Sequence, residues 1–198
     1  MPYTTVVTFT AGQALPAADL NSNFSNLDYL NAKINQEIQI GAGAMVSPAS
    51  SGATPGEFTP SGQRTYTCMD FIDGSITIAV FSFVLPSDYD GGTMTAKFYW
   101  TANSTSTNSV VWTINGVAIG DGETLDVAPG TAQTVTDANK STAYFLSVTD
   151  ATPAITLAGT PAAGEWVRFS ISRDPTNGSD TLAATARLLK VVLTYTRA

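Results

Sequence analysis

The sequence has no histidine and a single cysteine, Cys68, in 198 residues. Such a chain cannot form a disulfide within itself, a Cys/His zinc site, or a Ser-His-Asp or Cys-His catalytic group. These absences exclude several common classes of enzyme and of metal site. We expect no catalytic residues, no resident metal and no cofactor.

Charged residues are also scarce, at 13% of the chain, which is about half of the roughly 25% usual in soluble domains. Nine Lys and Arg residues face 16 Asp and Glu residues, giving a formal net charge of −7, and the basic residues form no cluster. Affinity for a nucleic-acid backbone comes mainly from clustered cations, so direct nucleic-acid binding is not expected. Threonine, serine, alanine and glycine take the place of the charges, which suits a surface that packs against copies or partners.

Long hydrophobic runs are missing as well. The longest apolar-rich segment, ITIAVFSFVLP at 76–86, is interrupted by Thr and Ser and is too short to span a bilayer. The first residues, MPYTTVVTFTAGQ, have neither the basic start nor the apolar run of a signal peptide. We therefore expect no membrane insertion, and synthesis and retention in a cytosol.

One segment near the start has the apolar spacing of a helix although it is rich in asparagine, a poor helix former. Positions that step by four and three run along residues 17–39, with Pro16 suited to a first helical turn: Leu20, Phe24, Leu27, Asn31, Ile34 and Ile38. This spacing is the seam of a coiled coil, with an asparagine on the seam itself. The helix could pack on its own domain or associate with copies of itself. We prefer self-association because a linker follows the helix.

Three regions differ in composition. Residues 1–40 form an N-terminal anchor and trimerisation segment that holds the helix, and the Gly-, Ala-, Ser- and Pro-rich residues 41–63 are expected to be an extended linker. Residues 64–198 have β-type sequence throughout and are expected to form one domain.

Period-two alternation marks three strands of that domain, at 93–102, 165–174 and 188–196. In the last of these, Leu189, Val191, Leu193 and Tyr195 are expected to share the core face. Further candidate strands lie at 75–85, 108–114, 131–136, 142–149 and 154–158. With no alternation of strands and helices, about eight strands predict a mainly β protein, an antiparallel β-sandwich of jelly-roll type.

Carboxylates cluster in two turns, as Asp88 with Asp90 and as Asp121, Glu123 and Asp126. Oxygen ligands of this kind could hold calcium, but Asp-Gly pairs are also what tight turns require, and the turn interpretation is preferred. In SRDPTNGSD, at 172–180, Arg173 could pair with Asp174 or Asp180 to organise a long turn, or it could grip a neighbouring subunit; local structure is preferred.

Four aromatic residues could stack on sugars: Tyr99, Trp100, Trp112 and Trp166. Alternating positions in strands more often belong to a core, so we prefer core positions for them. Cys68 is most simply a small buried hydrophobic residue.

The opening FTAGQALPAADLNSNFSNLD, at 9–28, resembles the N-termini of tail-fibre and related appendage proteins of tailed bacteriophages. The resemblance lies in an aromatic residue, a glycine, small residues, and then Leu-Asn and a phenylalanine: Phe9, Gly12, Ala17, Ala18, Leu20, Asn21 and Phe24. It implies that this segment fixes a trimer to the particle, with Phe9, Gly12, Leu20, Asn21 and Phe24 as anchor residues, while the β domain projects outward.

The resemblance implies a non-enzymatic structural protein of a virion, assembled in the cytoplasm of the host bacterium. Its partners would be its own copies in a homotrimer and other phage structural proteins of the tail, the portal or adaptor, or the major capsid. Loops such as 101–109 and 172–180 would contact the host, where a surface glycan is one possible partner. Because the chain has no long fibre shaft, a capsid decoration (cement) protein at three-fold sites is the alternative, and a free carbohydrate-binding module is a second one.

Overall fold

The structure, a computed structural model, describes Asn21, which is helical and exposed, and residues 35–198. The other proposed anchor and seam residues lie outside these, apart from Ile38: Phe9, Gly12, Leu20, Phe24, Leu27, Asn31 and Ile34. The proposals for them therefore stay predictions. Within the described part of the chain, no helix is long and apolar enough to cross a membrane.

The described residues form ten strands and two short 3-10 turns, at Ala42–Ala44 and Pro60–Gly62. The strands are β1 Asn35–Gly41, β2 Thr54–Phe58, β3 Tyr66–Phe71, β4 Thr77–Val84, β5 Tyr89–Ala102, β6 Ser109–Ile119, β7 Gln133–Ala138, β8 Ser147–Val148, β9 Trp166–Arg173 and β10 Ala186–Arg197. All paired strands are antiparallel.

The strands build two sheets. The first sheet has the order β2-β3-β10-β5-β8, with β1 also paired to β10, and the second has the order β4-β9-β6-β7. If the eight strands β3 to β10 are numbered one to eight, the first sheet has the order 1-8-3-6 and the second sheet has the order 2-7-4-5. This is the double Greek-key order of a jelly roll. The predicted mainly β, jelly-roll-like sandwich is therefore confirmed, and β1 and β2 are additions to it.

The core lies between the two sheets and is rich in aromatic rings. Trp112 of β6 lies at its centre, stacked on Phe98 at a centroid distance of 5.4 Å and meeting Phe71 edge-on at 5.1 Å. Trp100 and Trp112 are fully buried, so each contributes on the order of 3 kcal/mol of burial free energy. These residues come from alternating positions of β3, β5 and β6, as expected of strands with one face in a core.

The predicted helix is wrong at its C-terminal end. Asn35–Gly41 is strand β1, which pairs with β10 along its whole length and places Ile38 opposite Leu193. Exposed and half-buried positions alternate along β1, and Ile38 and Ile40 pack against the core. The spacing of two between these isoleucines is a strand signal, and it outweighs the four-residue step from Ile34 that placed Ile38 on a coiled-coil seam.

The structure also differs from the prediction in the region expected to be a linker. Residues 41–63 contain β2 and the buried side chains of Ala42, Met45 and Ala53. Isolated bridges join Val46 to Val80 and Gly52 to Ile78, so this segment crosses from the first sheet to the second. Small residues allow the backbone to lie directly on the core, and the sandwich therefore includes residues from Asn35 onward and is not confined to 64–198.

Strand β10 contains an irregularity that changes which residues face the core. Leu188 pairs with Trp100 and Lys190 with Tyr99, so Leu189 has no partner on β5 and forms a bulge. Leu188 is buried in place of the predicted Leu189, while Val191, Leu193 and Tyr195 are buried as expected. Because a bulge re-aims the side chains around it, Leu189 lies on the outer face of the first sheet.

The sandwich has two distinct ends. Phe71 and Ala102 pair with Ala186, and Thr77 pairs with Arg173. The loops 72–76, 103–108, 139–146 and 174–185 therefore all lie at one end, which we call the distal end. Strand β1 begins at the opposite, proximal end, where Asn35 pairs with Thr196.

Candidate functional site

A groove of about 520 Å³ lies on the outer face of the first sheet, next to the distal end. Its size is within the range of about 300–1,000 Å³ that is usual for ligand clefts. The β2–β3 hairpin forms one wall with Phe58, Arg64 and Tyr66, and the segment before β8 forms the other with Tyr144 and Leu146. Thr101 and the bulged Leu189 contribute strand positions between these walls. We call this feature the aromatic groove.

Three aromatic rings are stacked in the aromatic groove. The ring of Phe58 lies 5.5 Å from that of Tyr66 and 5.7 Å from that of Tyr144, at interplanar angles of 27° and 12°. The guanidinium of Arg187 lies over the Phe58 ring at 5.0 Å and over the Tyr144 ring at 5.8 Å. Tyr66 remains 48% exposed. A cation and neighbouring rings thus hold the aromatic surface in place while part of it faces solvent.

Backbone strain is concentrated on the walls of the groove. Tyr144 has φ +64°, and Ser61 and Ser141, in the same two flanking segments, have φ +49° and +52°. A positive φ is a genuine outlier for a bulky aromatic residue, and it costs on the order of 1–3 kcal/mol. The Tyr144 N–H donates to the carbonyl of Ala102 at 2.8 Å, which fixes this conformation. The strained residue Tyr144 is thus one whose ring lines the aromatic groove.

The groove carries positive charge in a chain whose net charge is −7. Arg64 lines it and is exposed, and no Asp or Glu is among its lining residues. Among residues 35–198, Arg64 forms no ion pair. The Nε of Arg187 lies 3.5 Å from Asp70, while its Nη1 finds no hydrogen-bond acceptor in the described part of the chain. The positive charge at the groove is therefore only partly compensated.

The aromatic residues considered for sugar stacking do not form this site. Trp100 and Trp112 are fully buried, and the Trp100 indole N–H donates to Asp137 at 2.8 Å, so the preferred core interpretation is confirmed for both. Tyr99 and Trp166 are half-buried in strands. The sequence pattern does not predict the groove aromatics, because Phe58 lies in a stretch with the composition of a linker. A turn signal is nevertheless present, since a Pro-Ser-Gly sequence at Pro60–Gly62 lies between Phe58 and Tyr66.

The acidic turns are organised by their own carboxylates. Asp90 accepts the N–H of Gly92 at 2.8 Å, and Glu123 accepts the N–H of Gly120 at 2.9 Å. Asp88 accepts the hydroxyl of Tyr195 at 2.9 Å and pairs with Arg197. No group of three or more metal-ligating side chains occurs in the described part of the chain. These contacts are those of turn-forming residues.

Arg173 forms a buried ion pair with Asp180. The two side chains are 0% and 1% exposed, and the closest nitrogen–oxygen distance is 2.7 Å. Of the two partners that the sequence allows, Asp180 is the one that pairs with Arg173, and the pair is inaccessible to solvent. Arg173 therefore cannot grip a neighbouring subunit, and it holds the 174–185 loop on the sandwich.

The two loops expected to contact a host lie side by side at the distal end. Asn108 donates from its side chain to the carbonyl of Thr181 at 2.8 Å, which joins the 103–108 and 174–185 loops. The Asn139 side chain donates to the carbonyls of Ser104 and Ser106 at 3.0 and 2.8 Å. Side-chain amides thus connect three distal loops into one surface.

Cys68 is buried in β3, as expected for a small apolar residue. Its thiol donates to Asp70 at 3.2 Å. Burial, then the hydrogen bond and the negative charge of Asp70, raises the pKa of the thiol to about 12. A thiol with this pKa is unreactive at neutral pH.

No protein-family model matches the sequence, and no curated protein matches it. Among solved structures, the chain is similar to the CBM36-1 domain of a multidomain xylanase from the hindgut metagenome of Trinervitermes trinervoides, with a TM-score of 0.39, 8% identity, and coverage of 80% of this chain and 96% of that one. It is also similar to a family 11 carbohydrate-binding module from Clostridium thermocellum, with a TM-score of 0.38, 11% identity, and coverage of 81% and 94%. A chain of the infectious bursal disease virus Gx strain gives a TM-score of 0.38 and 12% identity, and coverage of 83% of this chain and 34% of the viral one. Likeness at this level carries no conclusion about ligand or partner.

Proposed function

We propose that the protein is a non-enzymatic structural protein of a tailed-phage virion, a homotrimeric appendage of fibre or spike type. In this proposal residues 1–34 attach the trimer to the particle, and residues 35–198 form the β-sandwich that it displays. The resemblance of the first residues to appendage proteins supports the attachment. The arrangement of the sandwich, with its distal loops at the end opposite to the start of β1, supports the display of those loops.

The observation that carries the proposal is the position of β1. Asn35 pairs with Thr196 at the proximal end, and Arg197 pairs with Tyr89 there as well. The twelve residues of β10 span roughly 35–40 Å at about 3.3 Å each, and the four distal loops lie at their other end. A particle that holds residue 34 would therefore carry the distal loops facing away from its surface.

The distal surface suits recognition of a host. The 103–108 loop, NSTSTN, and the 174–185 loop are rich in hydroxyl and amide side chains, and hydrogen bonds to backbone carbonyls fix their shape. Loops held on a rigid scaffold are where binding functions are usually found. Because side-chain amides and Arg173 hold the loops, their exposed residues can change without loss of the fold.

Deletion of residues 1–34 in the phage genome tests the attachment. The cut precedes β1, so we expect the sandwich to fold and to accumulate in the infected cell but to be missing from purified particles. Asn177→Ala, at an exposed distal position, is the matched control, and it should be incorporated normally. Incorporation of the truncated chain at the wild-type level would contradict the anchor.

The homotrimer is tested separately in the purified full chain. Leu27→Asp combined with Ile34→Asp should give a folded monomer by light scattering, because charges on a helical seam prevent its association. A trimer that survives both substitutions would refute a clamp in the first 34 residues.

Particles that lack the protein separate the two placements. An appendage predicts slow adsorption to the host with heads of normal heat stability. A capsid decoration protein predicts normal adsorption with heads that lose DNA on mild heating, and that outcome would replace the appendage proposal.

A further inference from the structure

We propose that the aromatic groove is a binding site for an oligosaccharide that carries carboxylate groups. The inference deepens the proposed function and rests on it for the source of the ligand, which would be a glycan of the host surface. The site itself is argued from the groove alone.

The aromatic rings supply the apolar part of the site. One face of a pyranose ring is formed by C–H groups, which carry a small positive charge and are attracted to the negative face of an aromatic ring. Tyr66 is 48% exposed and stands at the end of the stack that runs through Phe58 to Tyr144. Because the stack and Arg187 occupy faces of Phe58 and Tyr144, the exposed part of the Tyr66 ring is where a sugar ring can pack.

The positive charge at the groove favours sugars that carry a carboxylate group. Arg64 is exposed in the groove with five N–H donors, and a guanidinium binds a carboxylate through two parallel hydrogen bonds. Arg187, behind the rings, is 21% exposed and adds a second positive charge that Asp70 compensates at 3.5 Å. No carboxylate among the lining residues opposes an acidic ligand.

The site is organised before a ligand arrives. Tyr144 holds its strained backbone through the hydrogen bond to Ala102, and its ring packs against both the Phe58 ring and the guanidinium of Arg187. Rings that are already ordered lose little conformational entropy on binding, so more of the contact energy appears as affinity.

Two protein occupants fit the groove less well. Residues 1–34 contain Asp19, Asp28 and Lys33, whose charges nearly cancel, so they offer little to Arg64 and Arg187. A second copy that presents the same groove would place Arg64 opposite Arg64, since no Asp or Glu lines the groove. A chain of uronic or sialic acids brings a carboxylate with each acidic sugar.

The test is calorimetric titration of the full chain with three acidic probes: short oligogalacturonates, short oligoalginates and sialyllactose. The methyl ester of each probe has the same rings without the charge and is the matched ligand control. We expect at least one acidic probe to bind and its ester to bind more weakly. Added salt should weaken the binding of the acid but not that of the ester. Tyr66→Ala should weaken binding about tenfold, and Arg64→Gln should reduce the acid to the level of its ester.

Two variants control for effects outside the groove. Phe145→Ala removes an exposed ring, 56% exposed, that does not line the groove, and Arg168→Gln removes an exposed guanidinium from β9 in the second sheet. Both should bind as the wild type does.

Three results would overturn the inference. The first is no binding of any acidic probe, and the second is equal binding of an acid and its ester. The third is a change in sedimentation coefficient with Tyr66→Ala that leaves saccharide binding unchanged, which would make the groove a contact between copies. The groove is tested by saccharide binding to the purified chain, and the attachment is tested by incorporation of the chain lacking residues 1–34 into particles. The two proposals can therefore fail independently.

Discussion

Asp180→Asn should destabilise the sandwich by about 3–5 kcal/mol, because removing one partner of a buried ion pair leaves the other charge uncompensated. The carboxylate of Asp180 accepts hydrogen bonds from Nε and Nη2 of Arg173 at 3.0 and 2.7 Å. It also accepts the N–H of Val111 at 3.0 Å. An asparagine can keep part of this pattern but cannot neutralise the guanidinium.

Arg173 has no route to solvent when its partner is lost. Its Nη1 donates to the carbonyl of Ala184 at 2.7 Å, and its Nη2 donates to that of Leu182. Asp73 lies 3.6 Å from Nη2 and is 47% exposed. This second carboxylate offers partial compensation, so we place the expected loss near about 3 kcal/mol, the lower end of the range for broken buried pairs.

Substitution of the other partner, Arg173, gives a sharper test. Arg173→Met leaves a buried carboxylate without a cation and removes the donors to the 174–185 loop, so it should cost at least as much as Asp180→Asn. Adding Asp180→Asn to Arg173→Met removes that unpaired charge. The double variant should therefore be no less stable than Arg173→Met alone, which corresponds to a coupling free energy of at least about 3 kcal/mol.

Equilibrium unfolding in urea measures these losses, provided that the slope of the free energy with urea concentration is unchanged between variants. Asp174→Asn is the control in the same loop, because Asp174 accepts only local hydrogen bonds from Thr176, and it should cost under about 1 kcal/mol. A loss below about 1 kcal/mol for Asp180→Asn, or additive losses in the double variant, would refute the role given to this pair.

Three further predictions concern the sandwich. Gly159→Ala should cost about 3 kcal/mol in urea unfolding, since φ is +84° and a Cβ would meet a backbone carbonyl oxygen at 2.3 Å, whereas Gly122→Ala, with φ +81° and open space, should cost only about 1 kcal/mol; equal losses would contradict the clash. The Cys68 thiol should react with an aromatic disulfide at pH 8 only in concentrated urea, and its contribution to stability, full below the ordinary pKa of 9.0, should be lost as pH rises toward about 12; fast labelling of the native protein would contradict its burial. Ile38→Asp should release β1 and speed amide hydrogen exchange along it, whereas Glu37→Ala, on the exposed face, should not, and unchanged exchange in Ile38→Asp would contradict a packed β1.

The jelly roll could be predicted from the sequence because three of its strands, β5, β9 and β10, show period-two alternation and the other candidate strands are separated by turn sequences. Positions 93–102 and 165–174 predicted β5 and β9 within a few residues, since Phe98, Trp100, Val167 and Phe169 are all buried. The segment 142–149 was predicted as a full strand but pairs only at Ser147–Val148, because the strained Tyr144 turns the chain before the strand can extend.

The aromatic groove could not be predicted because it depends on contacts between segments that are distant in sequence. Tyr66 and Tyr144 are joined only through Phe58, and Leu189 reaches the outer face only because of a bulge. Neither a bulge nor a positive φ on a tyrosine has a local sequence signal, since both are imposed by the tertiary structure around them. The sequence could limit the partner of Arg173 to Asp174 or Asp180, but it could not predict which of them pairs or that the pair is buried.

The error in the predicted helix bears directly on how the chain could be displayed. Had the helix continued to Gln39 and a free linker followed, a particle holding the first residues would leave the sandwich with no fixed direction. Because β1 pairs with β10 from Asn35 to Gly41, the direction in which the chain leaves the sandwich is set by hydrogen bonds within a sheet. The position of the distal loops relative to Asn35 is therefore a property of the fold. An attachment segment joined there needs to fix only its own position for the distal end to face outward.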